Sequence, residues 1–379
     1  MPLHDVGYRP WQGQRSGSLA AIMVIATTGI RLAWTSRWLR RAVFFAWSPA
    51  LVFAGSFFVF EQAVDEGRLG SIRDSARVGR NVDGVGILGR AIADALGSTD
   101  EPPADPHEGP EAETNRTRRA VWSRLMLAFM RSPQAILLSL VVGLVAPALV
   151  SRDLRAKAWL IYFTRPIGKL EYVGGKLLIL ALLVASITML PALALWVAGV
   201  AVSPSLWVAV TTWDLPLRIV VASVALAIPT VFMALAYSSL TAETRIAAFA
   251  WFATWVACWI THGALTGADL AAGSRPAAAA VPAALADSDD PFDDGPPAVV
   301  RGPRGQRRLG WLARAAGIDG TVDRWAWLSP FHAQGVVQAW IFGIERRFAV
   351  VLPSLVSLAV IAGGSLLVLF VRVDAPARA

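Results

Sequence analysis

An all-α polytopic membrane protein with six transmembrane helices is the fold class that this 379-residue sequence predicts, and three observations predict it. Hydrophobic residues make up 55% of the chain and charged residues only 16%, against about 25% charged in soluble domains. The apolar residues gather in six long runs free of Asp, Glu, Lys and Arg. The 16 Trp residues suit a water–hydrocarbon boundary better than a soluble core. An ordinary soluble enzyme is excluded on these grounds. The net charge of +8 raises a nucleic-acid binder, but apolar residues in such long runs oppose it. Cys258 is the single cysteine, so neither an intrachain disulfide nor a Cys-based zinc cluster can form.

The first element precedes the spans. Leu19–Ile30 is apolar but too short to cross a bilayer, and it leads into a segment rich in Trp and Arg. Trp34 and Trp38 are four apart and share a helical face, while Arg37, Arg40 and Arg41 can reach lipid phosphates. Residues 19–40 therefore read as an interfacial elbow helix within an N-terminal segment 1–41. A signal peptide is the alternative, opposed by the lack of a small-residue cleavage site before a soluble domain.

The spans follow from the charge-free runs, because a helix crosses the hydrocarbon core with about 20 apolar residues. They are expected at about 42–60, 132–151, 177–202, 219–242, 246–268 and 348–371. The third run continues to Trp213, but Ser203-Pro204-Ser205 ends the crossing and leaves Trp207 and Trp213 in an interfacial tail. Pro49, Pro147, Pro191 and Pro229 sit inside four spans, where they can kink helices. No Asp, Glu, Lys or Arg lies within a predicted span, which weighs against a proton-coupled carrier.

Two long loops, 61–131 and 269–347, separate the spans on one side. The first holds the acidic, Pro-rich stretch 101–106, too polar to order itself. It ends in an amphipathic helix that leads into span two, with Val121, Trp122, Leu125, Met126, Phe129 and Met130 at helical spacing. The second begins with a tract at about 271–310 expected to lack order, and closes on Ser329-Pro330, the N-cap and first residue of a short helix reaching about Phe342. The count of Lys and Arg flanking the spans ties, so it does not orient the chain. Net loop charge does differ: residues 1–41 carry +5 and 152–176 carry +4, whereas 61–131 carries −2 and 269–347 is neutral.

The connector 152–176 is short and basic, yet it holds Trp159, Leu160, Tyr162 and Phe163, which an exposed loop does not need. A helix at about 154–163, broken by Thr164-Arg165-Pro166, would show one face to the membrane and another to a partner. Such a lever is fixed at both ends to spanning helices and offers Arg to a partner's carboxylates. A solvated basic loop that meets membrane phosphates is the competing reading.

Asp153 through Lys176, with Tyr162, Arg165-Pro166, Glu171-Tyr172 and Gly175-Lys176, resembles the signature of ABC-2-type permeases, the membrane subunits of ABC exporters. Ser238-Ser239-Leu240-Thr241 at the end of span four resembles that family's SSLT turn. Leu328-Ser329-Pro330 is similar to its outer-loop segment, and Gly7-Tyr8-Arg9-Pro10 with the elbow resembles one of its subgroups. The resemblance implies cytoplasmic termini, in a bacterial cytoplasmic membrane. It also implies that 152–176 couples to a separate cytoplasmic ATPase that holds ATP and Mg, and that a second permease, identical or paralogous, completes the transporter. Arg152, Asp153, Arg155, Tyr162, Arg165, Pro166, Glu171, Tyr172, Gly175 and Lys176 are then the coupling residues, with Ser238, Ser239 and Leu240 at the adjoining turn. Trp34, Arg37 and Trp38 would anchor the elbow in lipid.

Other chemistry is sparse. The sequence has no G-x-x-x-x-G-K-[ST] loop, so nucleotide hydrolysis belongs to another chain. Gly84–Gly89 matches G-x-G-x-x-G without a preceding apolar strand, and Asn115-Arg116-Thr117 is a sequon by letter only. His4, His107, His262 and His332 lack helical pairing, so no metal site or resident cofactor is expected; His262 reads as an interfacial side chain. A membrane-embedded enzyme acting on lipid-linked substrates would need clustered carboxylates or histidines at a membrane face. A non-transporting anchor would not need the connector.

Overall fold

The computed structural model describes residues 17–67, 109–158, 168–286 and 325–378, and every element among them is helical. In chain order these are α1 (Ser18–Trp34), α2 (Arg37–Asp65), α3 (Pro110–Arg155), α4 (Lys169–Ile187), α5 (Met189–Val202), α6 (Val208–Thr211), α7 (Asp214–Leu240), α8 (Thr244–Ala286), a 3₁₀ turn (Ala326–Leu328), α9 (Pro330–Ile341) and α10 (Phe348–Arg378). Six crossings are long and apolar enough to span a membrane: α2, α3, α4 continued by α5, α7, α8 and α10. The end of the bundle carrying 152–176 is termed the connector face, and the opposite end the far face. Residues 7–10, 84–89, 101–106 and 159–167 lie outside the described residues, and with them Tyr162, Arg165 and Pro166.

The elbow divides differently from the sequence reading. Ser36 caps a new helix, its hydroxyl accepting from the Leu39 amide, so Arg37 and Trp38 open α2 instead of closing α1. Trp34 and Trp38 therefore stand on separate helices, and the capping serine is the physical cause. One side of α1 lies on α4, where Ile22, Ile25 and Gly29 meet Gly174, Gly175 and Ile179. A Cβ on Gly175 would come within 2.5 Å of Ile25 Cγ2, so the close approach depends on that glycine. The other side of α1 exposes Leu19, Val24 and Leu32, which suits hydrocarbon.

Of the four span prolines, Pro191 alone interrupts its helix. Its missing N–H and its ring oppose the Ile187 carbonyl, and the chain breaks at Thr188 between α4 and α5. Trp47 Nε1 on α2 donates to Ser186 O at 3.1 Å beside the break. Helices α2 and α7 run unbroken through Pro49 and Pro229. Trp207 and Trp213 flank α6 and are exposed, in keeping with the interfacial tail.

Helix α3 continues the amphipathic helix into span two, and it differs from the sequence reading in what its apolar face meets. Its 46 residues extend about 69 Å, so the amphipathic stretch and the second span are one continuous rod. Val121, Trp122, Leu125, Met126, Phe129 and Met130 pack with Phe53, Phe57 and Phe60 of α2 and with Leu195, Leu215 and Ile219. The apolar face read as part of an outer loop is thus core, because spanning neighbours bury it. A second cluster, toward the connector face, joins Val142, Val150, Val173, Leu180, Leu235, Trp251 and Leu369. Helix α8 likewise runs on to Ala286, carrying helical backbone into the tract read as lacking order.

The segment before span six also departs from an outer loop. Gln334 Nε2 donates to Thr230 Oγ1 at 2.9 Å, and Thr230 lies about 24 Å from the start of α7 and about 15 Å from its end. Ser357 Oγ, well inside α10, donates to Trp327 O at 2.6 Å. At its other end α9 meets the start of α7, where Arg218 Nη1 donates to Ile341 O at 3.1 Å. Helix α9 is re-entrant: it starts about halfway through the bundle and climbs to the far face.

Candidate functional site

The two described arms of the connector are tied together. Asp153, in the last turn of α3, accepts a hydrogen bond from Tyr172 Oη at 2.8 Å and an ion pair from Lys176 Nζ at 2.8 Å. Tyr172 and Lys176 share one face of α4 at i,i+4 spacing, and the ammonium lies 5.5 Å from the Tyr172 ring centroid. With Asp153 and Lys176 mostly buried, this triad fixes the spacing of α3 and α4 where the connector leaves and returns.

The exit from α3 is a Schellman turn. The Lys157 amide donates to Leu154 O and the Ala158 amide to Asp153 O, with Lys157 at φ 50°. This ends the helix at Arg155, so the separate helix expected at about 154–163 does not begin at Leu154; that residue closes α3. Arg152 and Arg155 are exposed. Arg155 pairs with Glu243 just past α7, while Glu171 accepts from Ser18 Oγ at 2.5 Å at the start of α1.

Ser238 of span four is tied to the stretch of α3 just before the connector. Its hydroxyl donates to Pro147 O at 2.9 Å and accepts from the Val150 and Ser151 amides, each at 3.1 Å. An unperturbed helix aims the Ser151 amide at Pro147 O, so the Ser238 hydroxyl stands within the backbone ladder of α3. Ser151 Oγ returns a bond to Ser238 O at 2.8 Å. Ser239 is buried and its hydroxyl donates to Ala236 O, whereas Leu240 is exposed at the helix end.

The far half holds groups that the sequence reading did not place in the bundle. Arg131, which flanks the second predicted span, is buried. Glu61 and Arg118 form a buried ion pair at 2.9 Å, and Trp122 Nε1 donates to the same carboxylate at 3.0 Å. Arg118 also donates to Asn115 Oδ1 at 2.9 Å. His262 is buried, with its ring stacked 3.4 Å from that of His332, where an interfacial side chain was expected; the re-entry of α9 brings the two together. The charges flanking apolar runs are the one signal that could have located Glu61 and Arg131; nothing local pairs His262 with His332.

Six helices long and apolar enough to cross a bilayer make this a multi-pass, all-helical membrane protein. The family model described as ABC-2 family transporter protein matches residues 23–375, and the chain belongs to that family. It is therefore a permease-type membrane component of an ABC transporter, a class that works with an ABC ATPase subunit. No curated protein matches the chain.

Proposed function

We propose that this chain is the permease subunit of an ATP-driven exporter and that residues 152–176 receive the force generated by a separate ATPase. ATP and Mg are held by that partner. The chain sits in a bacterial cytoplasmic membrane with both termini in the cytoplasm, and a second permease, identical or paralogous, completes the pathway. The observation that carries the reading is the double attachment of the chain where the connector leaves α3: Asp153 is tied to Tyr172 and Lys176 of α4, and Ser151, just before the connector, to Ser238 of α7. A push on the connector then moves three crossings together instead of bending a loop. Arg152 and Arg155 supply exposed cations for the partner's carboxylates, and Tyr162, Arg165 and Pro166 are assigned to the contact by family resemblance.

The test is co-purification from the native membrane, followed by replacement of Arg165 and Tyr162. An ABC ATPase is expected to accompany the wild-type chain, with its binding or turnover impaired by Arg165→Ala and Tyr162→Ala. Absence of any ATPase, or unchanged binding and turnover in both variants, defeats the assignment.

A further inference from the structure

We propose that the buried N-terminus of α9 is a subsite for an anionic headgroup, a phosphate or carboxylate, carried by the transported molecule. Its role in transport rests on the permease reading above; the binding itself does not. A helix start of this length presents unpaired backbone N–H groups and a partial positive charge, and here it lies about halfway through the bundle. Ser329 occupies the N-cap position but makes no capping bond; its hydroxyl is fully buried without a partner. His332, in the first turn, is 5% exposed, and neither of its ring nitrogens has a hydrogen-bond partner. Trp255 Nε1 is also buried without one, on a ring 6.5 Å from that of Phe331.

A fixed cation stands at the same turn. Arg131 Nη1 donates to Phe331 O at 3.0 Å, and its guanidinium lies 4.8 Å from the Phe331 ring centroid. Gly335 makes the room, since a Cβ there would fall 1.2 Å from Arg131 Nη1. The acidic side chains Glu61 and Asp214 lie toward the far-face ends of their helices and Glu345 in the loop between α9 and α10, whereas Asp153, Glu171 and Glu243 lie toward the connector face. Hydroxyl, imidazole, indole and guanidinium groups around a helix N-terminus are a donor-rich set that a metal cation would not choose beside Arg131. Broken helices at mid-membrane meet anionic substrate groups in this way in other transporters, and buried polar groups in a membrane interior point to function by default.

The experiment uses the full chain purified in an uncharged maltoside detergent, with the thermal unfolding midpoint as readout. The probes are dodecyl phosphate at low micellar fraction, inorganic phosphate, dodecyltrimethylammonium and zinc chloride. A saturable rise in midpoint with dodecyl phosphate is expected. A rise with inorganic phosphate as well assigns the headgroup to soluble anions, and a rise with dodecyl phosphate alone assigns it to membrane-borne amphiphiles. In Ser329→Ala and His332→Phe the apparent affinity for the responding phosphate should fall about tenfold, which is ~1.4 kcal/mol of binding. His332→Phe keeps the ring and removes the unpaired nitrogens, so without ligand it should unfold at or above the wild-type temperature. No phosphate response, an equal response in both variants, or an equal response to the cationic detergent or to zinc overturns the proposal. Because no ATPase enters the measurement, its failure leaves the export reading standing, and the converse also holds.

Discussion

At the connector face, Ser238 and Ser151 exchange hydrogen bonds with each other and with the backbone of α3, and Tyr172 donates to Asp153. Around α9, by contrast, Ser329 and His332 bury polar atoms without partners, although an arginine stands beside them. Between these extremes, Glu61 and Arg118 are charged and buried yet fully engaged with each other, Trp122 and Asn115. The difference teaches where each part of the bundle is finished. A satisfied network holds a geometry by itself, whereas buried groups left open are complete only when something else arrives.

The Glu61–Arg118 pair offers the largest expected effect, because it stands on the satisfied side of the comparison and both partners are charged and buried. Glu61→Ala should cost about 3–5 kcal/mol, since it strands a buried guanidinium and an indole N–H. Reversible unfolding of the detergent-solubilised chain checks this. Glu61→Leu combined with Arg118→Met should recover most of the loss. A cost under about 1 kcal/mol for the single change would mean that water reaches the pair, and it would no longer differ from the connector network.

Ser238→Ala comes next. Three backbone groups of α3 lose their shared partner, but the Ser151 amide can then close onto Pro147 O as in a regular helix. The net cost should be about 1 kcal/mol, with slower hydrogen exchange at Ser151 and a looser tie between α3 and α7. Faster exchange at Ser151 would show that no helical bond had re-formed and that the hydroxyl was the sole support of that turn.

How much of this was legible follows from the range of the interactions. Each span needs about 20 consecutive apolar residues, which are visible locally, so all six crossings could be read. The burial of residues 121–131 of α3 within the bundle was hidden because Arg124 and Arg131 break the apolar run between Val121 and Ser132, and the partner that accepts Arg131 lies 200 residues away. Tyr172 and Lys176 could be paired from i,i+4 spacing, but their joint partner Asp153 lies beyond the connector. Ser238 stood out as part of a motif, yet its insertion into α3 depends on a contact 91 residues distant. The re-entry of α9 was out of reach for the same reason, since Ser329-Pro330 marks a helix start without giving its depth.

Lys157 probes the connector turn itself. A lysine at φ 50° holds the left-handed position of a Schellman turn, where glycine carries no steric penalty. Lys157→Gly should therefore stabilise the chain by up to about 1 kcal/mol, offset in part by the greater freedom of glycine in the unfolded state. A clear loss of stability would mean that the lysine side chain, not the backbone turn, secures the end of α3.

The smallest effect is expected at Arg155 and Glu243, and it separates geometry from force transmission at the connector. The pair is 59% and 53% exposed, so screening by water leaves it about 0.5 kcal/mol at most. Arg155→Gln should shift the unfolding midpoint by no more than the scatter of the measurement, and so should Glu243→Gln. If Arg155 instead serves the ATPase partner, Arg155→Gln should weaken ATPase co-purification while Glu243→Gln leaves it unchanged or stronger, because Glu243 competes for the same guanidinium. Equal weakening by both changes would place the intact ion pair, rather than a released arginine, at the docking surface.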